Sequence, residues 1–166
     1  MKVKGYASVF GNIDLYGEVV DAGAFAGWIN SNPQKQVPLL WMHDRWTLPI
    51  GMTTAIHEDA FGLRFEAEIE DTALGVDVAK LIASGAVRSS SFAYKTIGEE
   101  MVDEIWHLTQ LDLLEISAVT TGFGANEKAT IEMAPDEQEP KSQVHPAPEL
   151  SAADIDAIFA KYYRKD

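Results

Sequence analysis

Strict alternation of apolar and charged residues over positions 63–70 is the feature that most limits how this chain can fold. A period of two is the period of a β-strand with one buried face, and a helix cannot place such residues on one side. We therefore predict a strand here, paired as a hairpin with residues 49–59, with the turn near Phe61. The residues expected to face inward are Leu63, Phe65, Ala67 and Ile69.

Several other short segments have the same strand-like character. Strands are predicted over residues 3–10 and 37–44, through Tyr94 and Ile97, from 105 to about 121, and over 128–133. Many short strands with two interposed helices indicate an α+β, mainly β fold. The architecture we predict is a small closed or partly closed, mostly antiparallel β-barrel surrounded by a few helices.

The two predicted helices lie within residues 18–30 and 71–85. Asp21 is the expected N-cap of the first, and Asp71 or Thr72 that of the second, which ends with a left-handed residue at Gly85. Helical periodicity predicts that each packs one apolar face on the sheet. These faces carry Phe25, Trp28 and Ile29 in the first helix, and Leu74, Val78, Leu81 and Ile82 in the second.

A change of composition at Ala134 divides the chain. We predict a barrel domain over residues 1–133, a flexible, acidic, proline-rich linker over 134–149 and an amphipathic helix over 150–166. Two interpretations of this last helix stay open: it docks on its own barrel, or it holds a partner or a second copy of the chain.

Charge and composition exclude several classes of function. A formal net charge of −13 argues against a nucleic-acid partner, which requires clustered Lys and Arg. Without cysteine the chain has no disulfide, thiol nucleophile or thiolate metal ligand. No apolar run reaches membrane-spanning length, and the start of the sequence lacks an apolar leader. The expectation is a soluble intracellular protein with no cofactor and no membrane contact.

Three consecutive serines run directly into an aromatic strand pattern at residues 88–94, "RSSSFAY". Strand alternation separates Ser91 from Ser90, and we expect Phe92 and Tyr94 to share the core-facing side of Ser90. The small Ala93 beside Ser91 would leave space for a substrate. Either Ser91 is a nucleophile, or these are hydroxyls at a strand edge with no reactivity.

A serine nucleophile needs a base, and a third group to orient that base. Of the histidines, His57 is expected in a solvated hairpin, His107 faces outward or lies satisfied in the core, and His145 falls in the linker. His43 ends a very apolar strand and is the favoured base, although it could simply begin a turn with Asp44.

Glu115 is the candidate for the third group. It lies between Leu114 and Ile116, and a carboxylate is costly to bury unless it meets a donor such as a histidine N–H. The alternative is an outward-facing glutamate on a one-sided strand. A metal hydrolase would instead need convergence within the set His43, Asp44, His107 and Glu115, and the sequence has no HExxH-like spacing to support it.

Five segments in order extend this interpretation: "GYASVFGNIDLYGEVVDAGAFAGWI", "VPLLWMHD", "PIGM", "LIASGAVRSSSFAY" and "LLEISAVTTGFGAN". Over residues 3–131 the chain resembles the prohead (capsid maturation) protease family of tailed bacteriophages, which is similar in fold to herpesvirus assemblin. The resemblance implies a serine endopeptidase. His43 matches the histidine of the family's LW-x-HD motif, Ser91 its serine and Glu115 the acid of its E-[VI]-S motif.

The resemblance also implies a setting. Family members act inside the assembling procapsid in the host bacterial cytoplasm, where they remove scaffold or the scaffold-like part of the major capsid protein, and often cleave themselves. Homo-oligomerisation is possible. The loop after Glu115 is the candidate oxyanion hole, with Gly122, Phe123 and Gly124 as donors. The rival interpretations are a catalytically inert scaffold or assembly module with the same barrel, and a metal-dependent hydrolase.

Overall fold

A computed structural model describes residues 1–135, which contain eight strands and two helices. The predicted helix over 150–166 and the predicted linker, apart from residues 134 and 135, lie outside the described residues. The elements are β1 (Lys2–Val9), β2 (Glu18–Val20), α1 (Ala26–Ser31), β3 (Pro38–Trp41), β4 (Gly51–Glu58), β5 (Gly62–Ile69), α2 (Ala73–Ala83), β6 (Ser89–Val102), β7 (Ile105–Val119) and β8 (Thr130–Met133).

All eight strands belong to one sheet with the order β2-β7-β3-β4-β5-β1-β8, and β6 also pairs with β7. The long β7 pairs with β6 along nearly its whole length, while β2 and β3 pair with its first and last parts. The pairings of β2 and β3 with β7 are parallel. The other five pairings are antiparallel: β1–β5, β1–β8, β3–β4, β4–β5 and β6–β7. The prediction of a mainly β, mostly antiparallel α+β fold is confirmed.

The predicted barrel is not confirmed, because the sheet does not close. Its ladder ends at β8, and at the gap between β8 and β6 the Ile131 N–H donates to the Arg88 carbonyl at 3.0 Å. The Ser90 hydroxyl spans the same gap, since its Oγ lies 2.7 Å from the Tyr6 carbonyl oxygen and 3.1 Å from that of Thr130. The contacts between β8 and β6 are therefore one backbone bond and the Ser90 hydroxyl, and these two strands form no ladder.

The hairpin β4–β5 is confirmed, with the alternating residues of β5 facing inward. Leu63, Phe65, Ala67 and Ile69 are all at most 2% exposed and belong to the main core. The Asp59 carboxylate closes the turn by accepting from the N–H groups of Phe61 and Gly62 at 2.8 and 3.0 Å. In the strand order this hairpin lies between β3 and β1.

Helix α2 begins and ends as predicted, but its buried face is different. The Thr72 hydroxyl accepts from the Gly75 N–H at 3.1 Å, and Gly85 has a φ of +74°. Val78 and Ile82 are buried as expected, whereas the exposed fractions of Leu74 and Leu81 are 40% and 42%. The small residues Gly75 and Ala79 complete the buried face instead. A Cβ on Gly75 would lie 2.3 Å from the Glu70 carbonyl oxygen, so only a glycine allows this close approach.

The first helix is shorter than predicted, and Asp21 does not cap it. Residues 18–20 form β2, and α1 starts only after Phe25, with no side-chain cap. Asp21 instead begins a turn in which the Ala24 N–H donates to its carbonyl, and its carboxylate faces His107. Phe25 and Trp28 are nevertheless buried as expected, because α1 still packs against β7 after this turn.

Candidate active site

His43 is presented by a strained turn at the end of β3. Met42 and His43 have φ angles of 54° and 58°, and the Asp44 N–H donates to the Trp41 carbonyl at 3.0 Å, as in a type I′ turn. A non-glycine residue in this region costs about 1–2 kcal/mol. The strand β7 holds the turn in place, because the Met42 N–H donates to the Ala118 carbonyl at 3.0 Å. Strain held by surrounding contacts is a common property of functional sites.

Asp44 stabilises the chain that follows this turn through side-chain hydrogen bonds. Its carboxylate accepts from the Trp46 N–H and from the Thr47 hydroxyl, both at 2.9 Å. Both bonds favour the ionised carboxylate and so lower the pKa of Asp44 below its ordinary value. The bond from the Trp46 N–H has the larger effect, and that from the Thr47 hydroxyl the smaller. The residue therefore has a structural role in the turn that carries His43.

Replacing Asp44 by Ala is expected to lower the melting temperature near neutral pH. A carboxyl whose pKa is lower in the folded than in the unfolded chain stabilises the fold above about pH 4, and this stabilisation disappears as the pH falls through the folded-state pKa. The difference in melting temperature between wild type and Asp44→Ala should therefore shrink below about pH 4. Thermal unfolding across pH measures it, with Asp44→Asn, which keeps an acceptor for the Trp46 N–H, as the control. A difference that stays constant down to pH 2 would contradict this role.

Glu115 is buried and meets His43. The residue is 2% exposed, and its Oε1 lies 2.6 Å from Nδ1 of His43. Because an ionised carboxylate can only accept, Nδ1 carries the proton and Nε2 is left as the acceptor of the neutral ring. The second oxygen, Oε2, accepts from the Ser117 hydroxyl at 2.6 Å. The imidazole and the Ser117 hydroxyl thus supply the donors that a buried carboxylate requires.

Ser91 lies beside this pair on the neighbouring strand. In the β6–β7 register Ser91 is opposite Ser117, so both side chains are on the face that also carries Glu115. Ser91 is 7% exposed and lines, together with His43, a cavity of about 130 Å³. Among the described residues no hydrogen bond joins Ser91 to His43, and such bonds in unliganded enzymes often form only with substrate. Ser90 is fully buried and bonded to Tyr6 and Thr130 on the other side of the strand.

Phe92 and Tyr94 pack on the core as expected, but both also line the cavity of Ser91. Phe92 makes edge-to-face contact with Phe25 at a centroid distance of 5.5 Å and lies 5.2 Å from the Tyr94 ring. A register shift between Ala93 and Tyr94 breaks the simple alternation at this point. Burial, and then the bond from the Tyr94 hydroxyl to Glu18 at 2.9 Å, raise the pKa of Tyr94. The cavity thus has a rigid aromatic wall.

The loop after β7 contacts the strand of Ser91. Gly122 has a φ of +88°, and the Phe123 N–H donates to the Thr120 carbonyl at 3.1 Å, which leaves it engaged in a turn. A Cβ on Gly124 would lie 2.9 Å from the Ser90 carbonyl oxygen and 3.7 Å from Cβ of Ser91. Of the three predicted donors, Gly124 has its backbone beside the candidate nucleophile.

The other candidate groups do not join this cluster. His107 bonds through Nδ1 to the Asp21 carboxylate at 2.8 Å, and His57 is exposed on β4. His145 lies outside the described residues. Within residues 1–135, no three His, Asp or Glu side chains are grouped so that they could hold a metal ion. None of the helices described in that range has the length and apolar character needed to cross a bilayer.

Ser117 is the site residue that sequence reasoning missed. Besides donating to Glu115, its fully buried hydroxyl accepts from the backbone N–H of His43 at 3.1 Å. A signal for it existed, because Ser117 follows Glu115 by two positions and shares its face of β7. The turn that brings His43 to this hydroxyl could not be seen in the sequence.

The chain has relatives among known proteins. The family model of the Caudovirus prohead serine protease matches residues 1–143, and the chain belongs to this family. Among curated proteins, it is 31% identical over 133 residues to the prohead protease of Enterobacteria phage HK97. That alignment covers 77% of this chain and 57% of the HK97 protein, so the chain spans little more than half of its relative.

Solved structures extend the likeness of fold to herpesviruses. The protease of Kaposi's sarcoma-associated herpesvirus, crystallised with a hexapeptide phosphonate inhibitor, aligns with a TM-score of 0.56 at 12% identity. The alignment covers 96% of this chain and 74% of that one. The varicella-zoster virus protease aligns with a TM-score of 0.47 at 12% identity, over 96% of this chain and 74% of that chain. The alignment with the Kaposi's sarcoma-associated herpesvirus protease confirms the assemblin-like fold expected from the sequence.

Proposed function

We propose that this chain is a serine endopeptidase in which Ser91 is the nucleophile, His43 the general base and Glu115 the group that orients His43. One observation carries the proposal: a buried carboxylate holds Nδ1 of an imidazole at 2.6 Å, and this imidazole and Ser91 line one cavity. A short bond between a buried acid and a half-exposed histidine fixes the tautomer that a serine nucleophile needs.

The reaction follows from this arrangement. Ser91 Oγ attacks the scissile carbonyl carbon while its proton passes to Nε2 of His43, and the carbonyl oxygen takes the negative charge. Glu115 stabilises the imidazolium that forms. His43 then gives the proton to the leaving amine, and a water molecule, activated by the same base, hydrolyses the acyl-enzyme and restores the Ser91 hydroxyl.

Backbone N–H groups of the loop 122–124 supply the oxyanion hole in this proposal. Gly124 is the preferred donor, because its backbone lies against Ser90 and Ser91 and, within residues 1–135, its N–H has no backbone acceptor. Gly122 is the second candidate, and Phe123 contributes less because its N–H already bonds to Thr120. Loss of one such donor typically costs about 2.7–4 kcal/mol of transition-state stabilisation.

The substrates we propose are the phage scaffold and major capsid protein, cleaved inside the assembling procapsid in the host cytoplasm, with self-cleavage as a further activity. Membership of the prohead protease family and the likeness to the HK97 prohead protease support this assignment. The cavity beside Ser91, about 130 Å³ in volume, has the size to hold one side chain of an extended peptide.

Covalent labelling tests the proposal directly. A fluorophosphonate probe should modify the chain, and peptide mass spectrometry should place the adduct on Ser91, with Ser91→Ala as the unlabelled control. Labelling should be repeated with the chain co-expressed with its capsid and scaffold proteins, in case assembly is needed for activity. Absence of any adduct on Ser91 in both settings would favour the inert assembly module, and cleavage abolished by a chelator would favour the metal hydrolase.

Glu115→Gln is expected to lower kcat about 10⁴-fold without unfolding the chain. The amide can donate to Nδ1 of His43, which leaves the ring with its proton on Nε2, where it cannot accept from Ser91. Steady-state cleavage of a scaffold peptide measures the effect. Glu66→Gln, an exposed glutamate on β5, is the matched control and should retain full activity. Full activity of Glu115→Gln would reduce Glu115 to a structural residue.

A further inference from the structure

We infer that Ser117 is a positioning residue of this site, which fixes both the base and the acid through one hydroxyl. The inference rests on the proposed function and extends it to a residue outside the triad. Ser117 Oγ lies 2.6 Å from Oε2 of Glu115 and 3.1 Å from the backbone nitrogen of His43. Its hydroxyl joins the chain segments that carry Glu115 and His43, in addition to the bond from the Met42 N–H to the Ala118 carbonyl.

The roles of the two bonds follow from chemistry. A serine hydroxyl has one proton to donate, and Glu115 as a carboxylate can only accept, so the proton lies toward Oε2. The lone pair of the same oxygen then accepts from the His43 N–H. Since both contacts use a fully buried side chain, water cannot replace either of them when the hydroxyl is removed.

The first bond selects which carboxylate oxygen faces the imidazole. Glu115 has two oxygens and several rotatable bonds, and its Oε1 is left for Nδ1 of His43 because Oε2 is held by Ser117. Without this bond the carboxylate gains freedom to turn away from the ring. The second bond restrains the left-handed backbone of His43, whose φ of 58° needs support from its surroundings.

The register places the same residue opposite the nucleophile. Ser117 pairs with Ser91 across β6 and β7 and with Leu40 across β3 and β7. Directly opposed residues have Cβ atoms about 4.5–5.5 Å apart. Ser117 therefore lies at the centre of the three strands that supply the site, without lining the cavity.

Ser117→Ala tests this inference. In metal centres, removing a residue that orients a ligand typically changes activity by about 10–100-fold. Ser117 orients Glu115 and His43 in a comparable way, and we expect a decrease of this size in kcat. KM should change little, because Ser117 does not line the cavity. In a Glu115→Ala background the same substitution should have a smaller effect, because only the bond of Ser117 to the His43 N–H is then left to lose.

Two conservative variants keep the test decisive if the alanine variant folds poorly. Ser117→Thr keeps the hydroxyl and Ser117→Cys keeps the shape, so the threonine variant should retain more activity than the cysteine variant. The control is Thr53→Val, which removes another buried hydroxyl, one that bridges the N–H and carbonyl of Val37 away from the site. It should lower stability and leave kcat unchanged.

Amide hydrogen exchange provides a measurement that does not depend on cleavage. Exchange at the His43 amide should become faster in Ser117→Ala and remain as in wild type in Thr53→Val. An unchanged kcat, or an unchanged exchange rate at His43, would overturn the inference. If wild type neither cleaves nor labels at Ser91, the proposed function is wrong, and the exchange rates still decide whether Ser117 holds His43.

Discussion

Ser91→Ala is expected to lower kcat for cleavage of scaffold or capsid protein by about 10⁶-fold while the melting temperature stays close to that of wild type. The reaction loses its nucleophile, so the remaining groups can only assist attack by water. Stability changes little because Ser91 makes no hydrogen bond to another side chain within residues 1–135. Co-expression with the capsid and scaffold proteins, followed by analysis of the fragments, measures the effect on natural substrates.

Ser90→Ala is the matched control for this experiment, since the two serines are adjacent and the substitution is the same. The Ser90 hydroxyl bonds to the carbonyls of Tyr6 and Thr130, so its loss should reduce the free energy of unfolding by about 1 kcal/mol and preserve cleavage. If Ser90→Ala abolishes cleavage and Ser91→Ala does not, the assignment of the nucleophile is wrong by one residue.

His43→Ala should reduce kcat by a similar factor, about 10⁶-fold, because no other group within residues 1–135 is placed to take the proton of Ser91. Its stability should fall as well. Glu115 stays buried with one bond from Ser117 and loses its bond to the imidazole, which is worth about 1–3 kcal/mol for a charged partner. Cleavage assays and denaturant unfolding measure the two effects separately.

The backbone at His43 allows a finer comparison. Since φ is 58° at this position, His43→Gly should be about 1 kcal/mol more stable than His43→Ala, although both are inactive. His57→Ala, which changes an exposed histidine on β4, should leave both properties unchanged. Cleavage by His43→Ala within tenfold of wild type would exclude His43 as the base.

The parts of the fold that the sequence revealed are those governed by local periodicity. The alternation over Leu63–Ile69 identified β5 and its inward face because a strand has only two sides. The cap at Thr72 and the left-handed exit at Gly85 were also local signals. The buried face of α2 was predicted in part wrongly, because the sheet accepts the small residues Gly75 and Ala79 more closely than the leucines.

The candidate site also has parts that local sequence could predict and parts that it could not. A carboxylate between Leu114 and Ile116 left two alternatives, a buried acid with a donor or an outward-facing glutamate, and Glu115 is buried with His43 as its partner. The turn at Met42 and His43 gave no such signal, since neither residue favours a positive φ and the bonds that hold it come from a strand more than 70 residues later. Local rules could not show that the sheet stays open, because this depends on how β8 meets β6.

The hydroxyl of Ser90 has a consequence for the order in which the site can mature. It anchors the backbone immediately before Ser91 to β1 and β8, the two strands contributed by the opposite ends of the described chain. The backbone beside Ser91 therefore gains both contacts only after β8, the last strand in that range, has been synthesised and paired with β1. A nascent chain that ends before Thr130 would carry Ser91, His43 and Glu115 and still lack β8 and its contacts with the strand of Ser91.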